Sequence, residues 1–178
     1  MSKAVWRQLQ AELAIEPSAK DIRPVTPAKL DAFEKKHGPL PTSYRTFCEV
    51  FGAGQIGNLF SIAVPGYQGK ARTFDLEHLN QMAHDGQEYK AYSKDPAQHA
   101  RGLFFCIDLT NSFHFFDPEE VTDSRRHECA VYTVFRDYEL KRAADNFGEF
   151  ITLCCLGRKR PQFIKGVPTE HRFRPVTI

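Results

Sequence analysis

The chain has 178 residues, of which 42% are hydrophobic and 26% charged, a composition typical of one globular domain. No apolar run reaches the ~20 residues that span a bilayer, and the N-terminus lacks the apolar segment of a signal peptide. We therefore expect no membrane association and no export. The five cysteines are odd in number and have no disulfide-framework spacing, which indicates free thiols and a cytoplasmic location.

The net charge of +2 is unevenly distributed along the chain. Residues 158–178 contain six Lys or Arg and one Glu, so residues 1–157 carry a net charge of −3. A mildly acidic body does not match a uniformly basic nucleic-acid binder. We expect a protein partner, and the basic tail is the only feature that favours nucleic acid.

The tail has two interpretations. Arg158-Lys159-Arg160, followed by phenylalanines, gives the mixture of basic and aromatic residues that nucleic-acid binders use. Alternatively, apolar residues of the tail dock on the body of the protein, which we favour because apolar termini are commonly tied down in this way. These residues are Phe163, Ile164, Val167 and Phe173.

Three helices are predicted in the first third of the chain. The first covers residues 3–14, with Trp6 beside an apolar stripe of Ala4, Val5, Leu9 and Leu13. The second begins after Thr26, whose hydroxyl can cap it, and is expected to end at Gly38. The third begins at Pro41 and ends at Gly52. Its apolar residues are spaced i, i+3, i+4 and i+7 on one face: Tyr44, Phe47, Cys48 and Phe51.

The middle of the chain has the patterns of strands, which we predict at 59–64, 102–109, 113–116 and 130–135. Residues 102–109 are apolar on both faces, which is typical of a central strand. Residues 110–112 form a predicted turn, and Pro118 is expected to end the strand that follows this turn. A helix is predicted at 75–85, and residues 86–101 are predicted to be mostly loop.

The last predicted helix is capped by Asp145 or Asn146 and ends at Gly157. Its apolar face consists of Phe147, Phe150, Ile151 and Cys154. The order of these elements predicts an α+β fold, with helices packed on an antiparallel or mixed sheet.

Several of these segments together resemble the SUKH superfamily, the fold shared by bacterial toxin-immunity proteins and fungal cell-wall-synthesis regulators. The matching positions are Thr26, Leu30, Phe33, Glu34, Leu40-Pro41, Tyr44, Phe47, Gly52-x-Gly54, Gly102–Asp108 and Asn146–Ile151. One departure is Phe51-Gly52-Ala53-Gly54, where the family often has Asn-Gly-Gly. The resemblance covers residues 24–157, which leaves an N-terminal helix and connector at 1–23 and a basic tail at 158–178.

The resemblance implies a single SUKH-like domain that binds proteins and has no catalytic residues. Members commonly neutralise a toxin, encoded beside them, by direct binding. The acidic body fits this role, because many toxins are nucleases with basic surfaces and opposite charge speeds the encounter. We therefore interpret the chain as an immunity protein for a polymorphic toxin, acting as a monomer or weak homodimer. The alternatives are a signalling or scaffold protein of the same fold and a small enzyme of an unrecognised type.

Metal, cofactor and cysteine chemistry have little support in the spacing of the residues. The chain has no Cys-x-x-Cys and no His-Glu-x-x-His motif, so we expect no metal site. The spacing Gly52-x-Gly54-x-x-Gly57 follows a helix and precedes a strand, the reverse of a dinucleotide site, and we interpret it as a turn without a cofactor. A Cys106–His114 pair across the hairpin is conceivable as nucleophile and base, but we favour a buried thiol because Cys106 lies in an apolar strand.

Polar residues near the turn at 110–112 and beyond it are our predicted partner contacts. They are Asp108, Asn111, His114, Asp117, Glu119 and Glu120. The carboxylates within residues 117–123 have three interpretations: a solvated loop, an acidic contact patch, or an acid/base set that would require burial and opposed pKa values. The mechanism we expect is occlusion of the partner's site through one sheet face and its flanking loops.

Overall fold

The structure of the protein, a computed structural model, describes residues 1–86, 94–135, 137–157 and 170–176. The helices within these ranges are α1 (Lys3–Glu12), α2 (Pro27–His37), α3 (Thr42–Cys48), α4 (Leu76–Asp85), α5 (Pro96–Arg101) and α6 (Phe147–Glu149). The last helix continues as a π-helical segment, Phe150–Cys155. Short 3-10 turns occur at Ala19–Asp21 and Arg72–Phe74. No helix in the described part of the chain is both long and apolar enough to cross a membrane.

The strands form one sheet, and within the described ranges they are β1 (Ala14–Ile15), β2 (Gly54–Ile56), β3 (Phe60–Ile62), β4 (Leu103–Asp108), β5 (Phe113–Asp123), β6 (Glu128–Val134), β7 (Leu140–Ala144) and β8 (Arg172–Pro175). Their spatial order is β1-β8-β2-β3-β4-β5-β6-β7. The β1–β8 pair is parallel and the other pairs are antiparallel. The predicted α+β fold with a mixed sheet is therefore confirmed, and the predicted central strand, β4, lies inside the sheet.

Helices pack on both faces of the sheet. Adjacent residues of a strand point to opposite faces, and in β5 Phe116 lies 5.4 Å from the Tyr44 ring of α3, whereas Phe115 lies 4.9 Å from Phe104 on the other face. Helix α4 contacts Phe104 on this second face through His84, whose ring centroid lies 5.2 Å from that of Phe104. The Asn80 side chain accepts a hydrogen bond from the Phe104 N–H at 2.9 Å and donates one to its C=O at 2.8 Å.

The face covered by α3 contains an aromatic core. Its fully buried rings include Trp6, Tyr44, Phe47, Phe51, Phe105, Phe147, Phe150 and Phe173. The four residues of the predicted apolar face are all buried, but the helix predicted to end at Gly52 ends at Cys48, so Phe51 lies in the turn that follows α3. Helix α1 packs through Trp6, whose indole N–H donates to the Ser43 C=O at 3.0 Å, and part of the predicted stripe, Ala4 and Val5, is exposed. The large indole determines which side of α1 is buried, because it removes far more apolar area from water than a small side chain does.

Two predictions for the middle of the chain are wrong. Pro118 does not stop the strand, since β5 continues to Asp123. The pairing of β5 with β6 is interrupted between Phe116 and Val121, and Pro118 lies in this interruption, where its missing N–H costs no ladder hydrogen bond. The segment predicted as mostly loop contains α5, whose first turn is capped by the Asp95 side chain. Residues 87–93 of that segment lie outside the described residues.

Both terminal segments contribute strands to the sheet. Strand β8 lies between β1 and β2, and its fully buried Phe173 is 4.9 Å from Phe51. Gly54 of β2 allows this approach, because a Cβ there would lie 2.2 Å from the Phe173 ring. Phe173 therefore docks as predicted. The other predicted docking residues and the basic cluster lie outside the described residues: Phe163, Ile164, Val167 and Arg158-Lys159-Arg160.

Candidate partner-binding surface

Two of the six predicted contact residues, Asp108 and His114, lie in a buried polar network at the β4–β5 turn. His114 Nδ1 is 2.8 Å from the Thr133 hydroxyl oxygen, and His114 Nε2 is 3.3 Å from Asp108 Oδ2. Asp108, the most accessible of the three, is only 5% exposed. The rings of Phe60 and Phe150 pack against His114, with centroids 5.5 and 4.9 Å away. Water is therefore excluded from this network.

The Asp108 carboxylate shapes the turn that follows it. Its Oδ1 accepts hydrogen bonds from the Thr110 N–H at 2.8 Å, the Thr110 hydroxyl at 2.6 Å and the Ser112 N–H at 3.1 Å. Burial raises the pKa of Asp108, but the hydrogen bond and charge of His114, with the bonds from Thr110 and Ser112, outweigh it and hold the pKa below its usual range. The ionised carboxylate thus closes the turn predicted at 110–112.

A hydroxyl, an imidazole and a carboxylate in line form the chain that nucleophilic catalysis uses, but here the chain is closed to a substrate. Thr133 is buried, and the substrate of such a reaction has to reach the hydroxyl. Cys106 does pair with His114 across the hairpin. Cys106 is fully buried, however, and burial raises its pKa well above the usual value, so the thiol stays protonated.

Asp117 is also buried, and it holds α5 against β5. Its carboxylate accepts hydrogen bonds from Arg101 Nε and Nη2 at 2.8 and 2.7 Å and from Gln98 Nε2 at 2.9 Å. Burial raises the pKa of Asp117, but the hydrogen bonds from Arg101 and Gln98 lower it by more. The pKa therefore lies below its usual range. Half of the predicted contact residues are thus buried and bonded internally.

The other three, Asn111, Glu119 and Glu120, lie at two separate places on the surface. Asn111 is exposed in the turn before β5, whereas Glu119 and Glu120 follow Pro118 in the second half of that strand. At ~3.3 Å per residue, Asn111 and Glu119 are roughly 26 Å apart along the strand. The structure therefore does not bring the six predicted residues together into one site.

Glu120 belongs to a polar cluster on the surface of β5, β6 and β7. It accepts a hydrogen bond from the Tyr132 hydroxyl at 2.5 Å and pairs with Arg142. The neighbouring Glu119 side chain is 73% exposed, and its Oε2 lies 3.3 Å from Arg101 Nε. The sequence does not point to Tyr132 and Arg142, because only the pairing of these two residues across β6 and β7 brings them beside Glu120.

A cleft of about 760 Å³ lies between α2, α4 and the second half of β5. Its size falls in the range of roughly 300–1,000 Å³ that small-ligand sites occupy. One wall is a polar face of α4, formed by Glu77, Asn80, Gln81 and His84. At the α2 side, Lys36 and His37 both contact Glu77 Oε1, at 2.9 and 3.0 Å. The cleft has room for a side chain or a short peptide segment of a partner.

The glycine-rich segment, predicted as one turn between a helix and the strand at 59–64, contains an additional strand, because Gly54 begins β2 and Gly57 follows it. A Cβ on Gly52 would lie 1.9 Å from the carbonyl oxygen of Arg23, and Gly54 faces Phe173. These glycines therefore accommodate close approaches of other parts of the protein.

Within residues 1–86, 94–135, 137–157 and 170–176, no three His, Cys, Asp or Glu side chains converge to hold a metal ion.

The residues that carry the family resemblance are structural. Glu34 accepts a hydrogen bond from the Leu40 N–H at 3.0 Å and pairs with Arg45, which holds α2 against the start of α3. The helix that contains Tyr44 and Phe47 is also held by β6, because Glu128, which is outside the matching positions, accepts hydrogen bonds from the N–H and the hydroxyl of Ser43 at 2.9 and 2.6 Å. The most recognisable segment of the chain thus supports the fold and does not form its surface.

The fold and these sites define an α+β domain whose cysteines and whose Asp108–His114–Thr133 network are buried. The chain belongs to the SMI1/KNR4 family (SUKH-1), whose family model matches residues 24–153. The resemblance to the SUKH superfamily is therefore confirmed, and the chain is an immunity or regulatory module in the general sense, from a family that is generally non-catalytic. Comparison with curated proteins found no match, and neither did comparison with solved structures.

Proposed function

We propose that the chain is a cytoplasmic immunity protein that neutralises a polymorphic toxin by binding it, without catalysis. The match to the SUKH-1 family over residues 24–153 is the observation that carries this proposal. The buried thiols and the closed Asp108–His114–Thr133 network support the non-catalytic part. The net charge of −3 on residues 1–157 favours nuclease toxins, whose surfaces are basic.

The contact residues we propose are the accessible ones, Asn111, Glu119 and Glu120. The ion pair of Glu119 with Arg101 is open to solvent, and such pairs are weak. A basic group of the toxin can therefore replace Arg101 at the Glu119 carboxylate at little cost. Asp108, His114 and Asp117 contribute indirectly, because they hold the turn and α5 in place.

Co-expression tests the proposal. A toxin domain encoded beside the gene for this chain is expressed in a bacterial host with and without the chain, and growth is measured together with co-purification of the two proteins. We expect the chain to restore growth and to co-purify with the toxin domain. Absence of both a complex and a rescue would overturn the proposal.

A charge reversal tests the proposed contact at Glu119. The variant Glu119→Lys is expected to weaken toxin binding by about tenfold, because it places like charge against a basic partner. The matched control is Glu12→Lys, an exposed residue on α1. Equal binding by both variants would remove Glu119 from the contact surface without affecting the proposed function.

A signalling or scaffold role within the same fold is the second candidate, because the family match supports it equally. Gene neighbourhood separates the two. A toxin gene beside the gene for this chain favours immunity, and a neighbourhood without one favours the scaffold role.

A further inference from the structure

Three hairpin turns lie side by side at one end of the sheet. They connect β2 to β3, β4 to β5 and β6 to β7, and these six strands are consecutive antiparallel neighbours. The three turns therefore share one end of the sheet and are separated by about 10 Å, two strand spacings of ~4.8 Å. We call residues 57–59, 109–111 and 137–139 the turn edge.

Each turn of the turn edge holds a non-glycine residue in the left-handed region. Asn58, Asn111 and Tyr138 have φ of 63°, 59° and 62°. Asparagine adopts this conformation more readily than most residues, and tyrosine rarely does. The turns that begin at Asp108 and Phe135 also have the same backbone hydrogen bonds. In each turn, the N–H of the first residue donates to the C=O four residues later, and its C=O accepts from the N–H three residues later. Residues held in such conformations cluster at binding and switch regions, so the turn edge is a candidate contact surface. Gly57 and Leu59 are buried, so the first turn contributes only Asn58 to that surface.

Leu109 is the most exposed large hydrophobic residue in the described part of the chain, at 66%. A single exposed leucine is ordinary on a protein surface. This one is distinguished by its position, because its N–H donates a 3.0 Å hydrogen bond to the Leu59 C=O and so joins two turns of the turn edge. Its side chain projects from a backbone that is held on both sides.

The buried network under Leu109 makes its turn rigid. Asp108 accepts three hydrogen bonds from Thr110 and Ser112, and His114 lies against its second carboxylate oxygen. Burial of a carboxylate is unfavourable unless its oxygens accept hydrogen bonds, and the donors of this turn supply them. A turn held in this way loses little conformational entropy when a partner binds it, and preorganised surfaces bind more tightly for that reason.

We propose that the turn edge is the apolar centre of the surface that binds the protein partner, with Leu109 as its anchor and Asn111 beside it, while Glu119 and Glu120 contact the partner farther along β5. This inference rests on the proposed function, because it assigns the surface on which the toxin is bound. The partner presents an apolar pocket for Leu109, with hydrogen-bonding groups for Thr110 and Asn111 beside it. Because the third turn contains the exposed Asp137, the rim of that pocket carries a basic group, as the proposed nuclease toxins do.

Binding measurements with matched variants test this assignment. The probe is the toxin domain encoded beside the gene for this chain, carrying an inactivating substitution, and the readout is the Kd from calorimetry. Leu109→Ser is expected to raise the Kd by about 10- to 100-fold, the effect of removing an anchor. Asn111→Gly retains the left-handed conformation and is expected to raise it by a smaller factor. The control is Met82→Ser, which changes an exposed apolar residue on α4 and is expected to leave the Kd unchanged.

The outcomes separate this inference from the proposed function. If the unmodified chain binds the toxin domain and Leu109→Ser binds equally well, the turn edge is not the contact surface, while the proposed function stands. If Met82→Ser weakens binding as much as Leu109→Ser, the assignment is also overturned, because the effect is not specific. If the unmodified chain does not bind, the proposed function fails and the turn edge fails with it. If Leu109→Ser only converts a dimer of the chain into a monomer, the turn edge is a self-association surface and the inference is wrong.

Discussion

The hydroxyl of Tyr44 donates a 2.6 Å hydrogen bond to the carbonyl oxygen of Ala63, and both residues are fully buried. This bond joins α3 to the segment that leaves β3, at a point where water cannot replace either partner. Tyr44 is thus both a ring in the aromatic core and the hydrogen-bond partner of a buried backbone group. The resemblance to the SUKH superfamily includes Tyr44, and its role in this protein is structural.

Removal of this hydroxyl is expected to destabilise the protein. Tyr44→Phe leaves the Ala63 carbonyl buried without its donor, which lowers the free energy of unfolding by about 1–3 kcal/mol in urea denaturation. The matched control is Tyr67→Phe, because the Tyr67 hydroxyl is buried without a hydrogen-bond partner among the described residues. Its removal is expected to be neutral or stabilising. Equal destabilisation by the two substitutions would contradict this account of Tyr44.

Stability is expected to fall in acid through Asp108. The pKa of this carboxyl is lower in the folded protein than its ordinary value of 3.8, so folding favours the ionised form. The stabilisation is complete above the unfolded pKa and is lost as the pH falls through the lower pKa of the folded state. Urea midpoints at pH 7, 5 and 3 measure the loss. The variant Asp108→Asn should lose less stability between pH 5 and 3, because the contribution of Asp108 is absent and that of the remaining acids, including Asp117, is left. Parallel losses of stability in the two proteins would refute the assignment to Asp108.

The thiols are expected to be unreactive in the native protein. All five cysteines are free and buried. Burial raises the pKa of Cys129 to about 11 and raises the pKa values of Cys48 and Cys106 as well. Titration with a thiol-specific disulfide reagent at pH 8 should label none of the five quickly, and all five in denaturant. Rapid labelling of one thiol in the native protein would instead support the enzyme hypothesis.

Docking of β8 is expected to depend on Gly54. A Cβ at this position would meet the Phe173 ring at 2.2 Å and the Arg174 carbonyl at 2.6 Å. Gly54→Ala should therefore lower the free energy of unfolding by about 1–3 kcal/mol, the usual cost of overpacking. It should also make the chain near β8 more sensitive to protease. Gln55→Ala, at the adjacent and partly exposed position, is the control, and an unchanged stability of Gly54→Ala would show that β8 adjusts without strain.

Local patterns predicted the elements whose signals are contained in a short window. The spacing of Tyr44, Phe47 and Cys48 was sufficient for the buried face of α3, and Phe51, just beyond the helix, is buried as well. Asn146 caps the last helix, as one of two predicted residues. The alternation in 102–109 placed β4 correctly inside the sheet. Strands β1, β2, β7 and β8 were not predicted, because they are short or depend on neighbours distant in the chain. The pairing of Ile15 with Phe173 is an example.

The candidate site was less predictable than the fold. Asp108, His114 and Asp117 stand beside a turn in the sequence, which favours exposure, but Thr133 and Arg101 approach them from other elements and bury them. Leu109 follows the alternation of a buried strand, yet it is exposed because the turn begins at Asp108 and redirects the chain. Its position immediately before Thr110-Asn111-Ser112 was the only sequence signal for this exposure.

Neutralisation by direct binding can be measured by calorimetric titration of the purified chain with the inactive toxin domain encoded beside its gene. A toxin assay in the presence of the chain accompanies the titration. We expect a one-to-one complex with a Kd at or below about 10 nM and loss of toxin activity at the same stoichiometry. The absence of binding heat at micromolar concentrations, together with unchanged toxin activity, would contradict it.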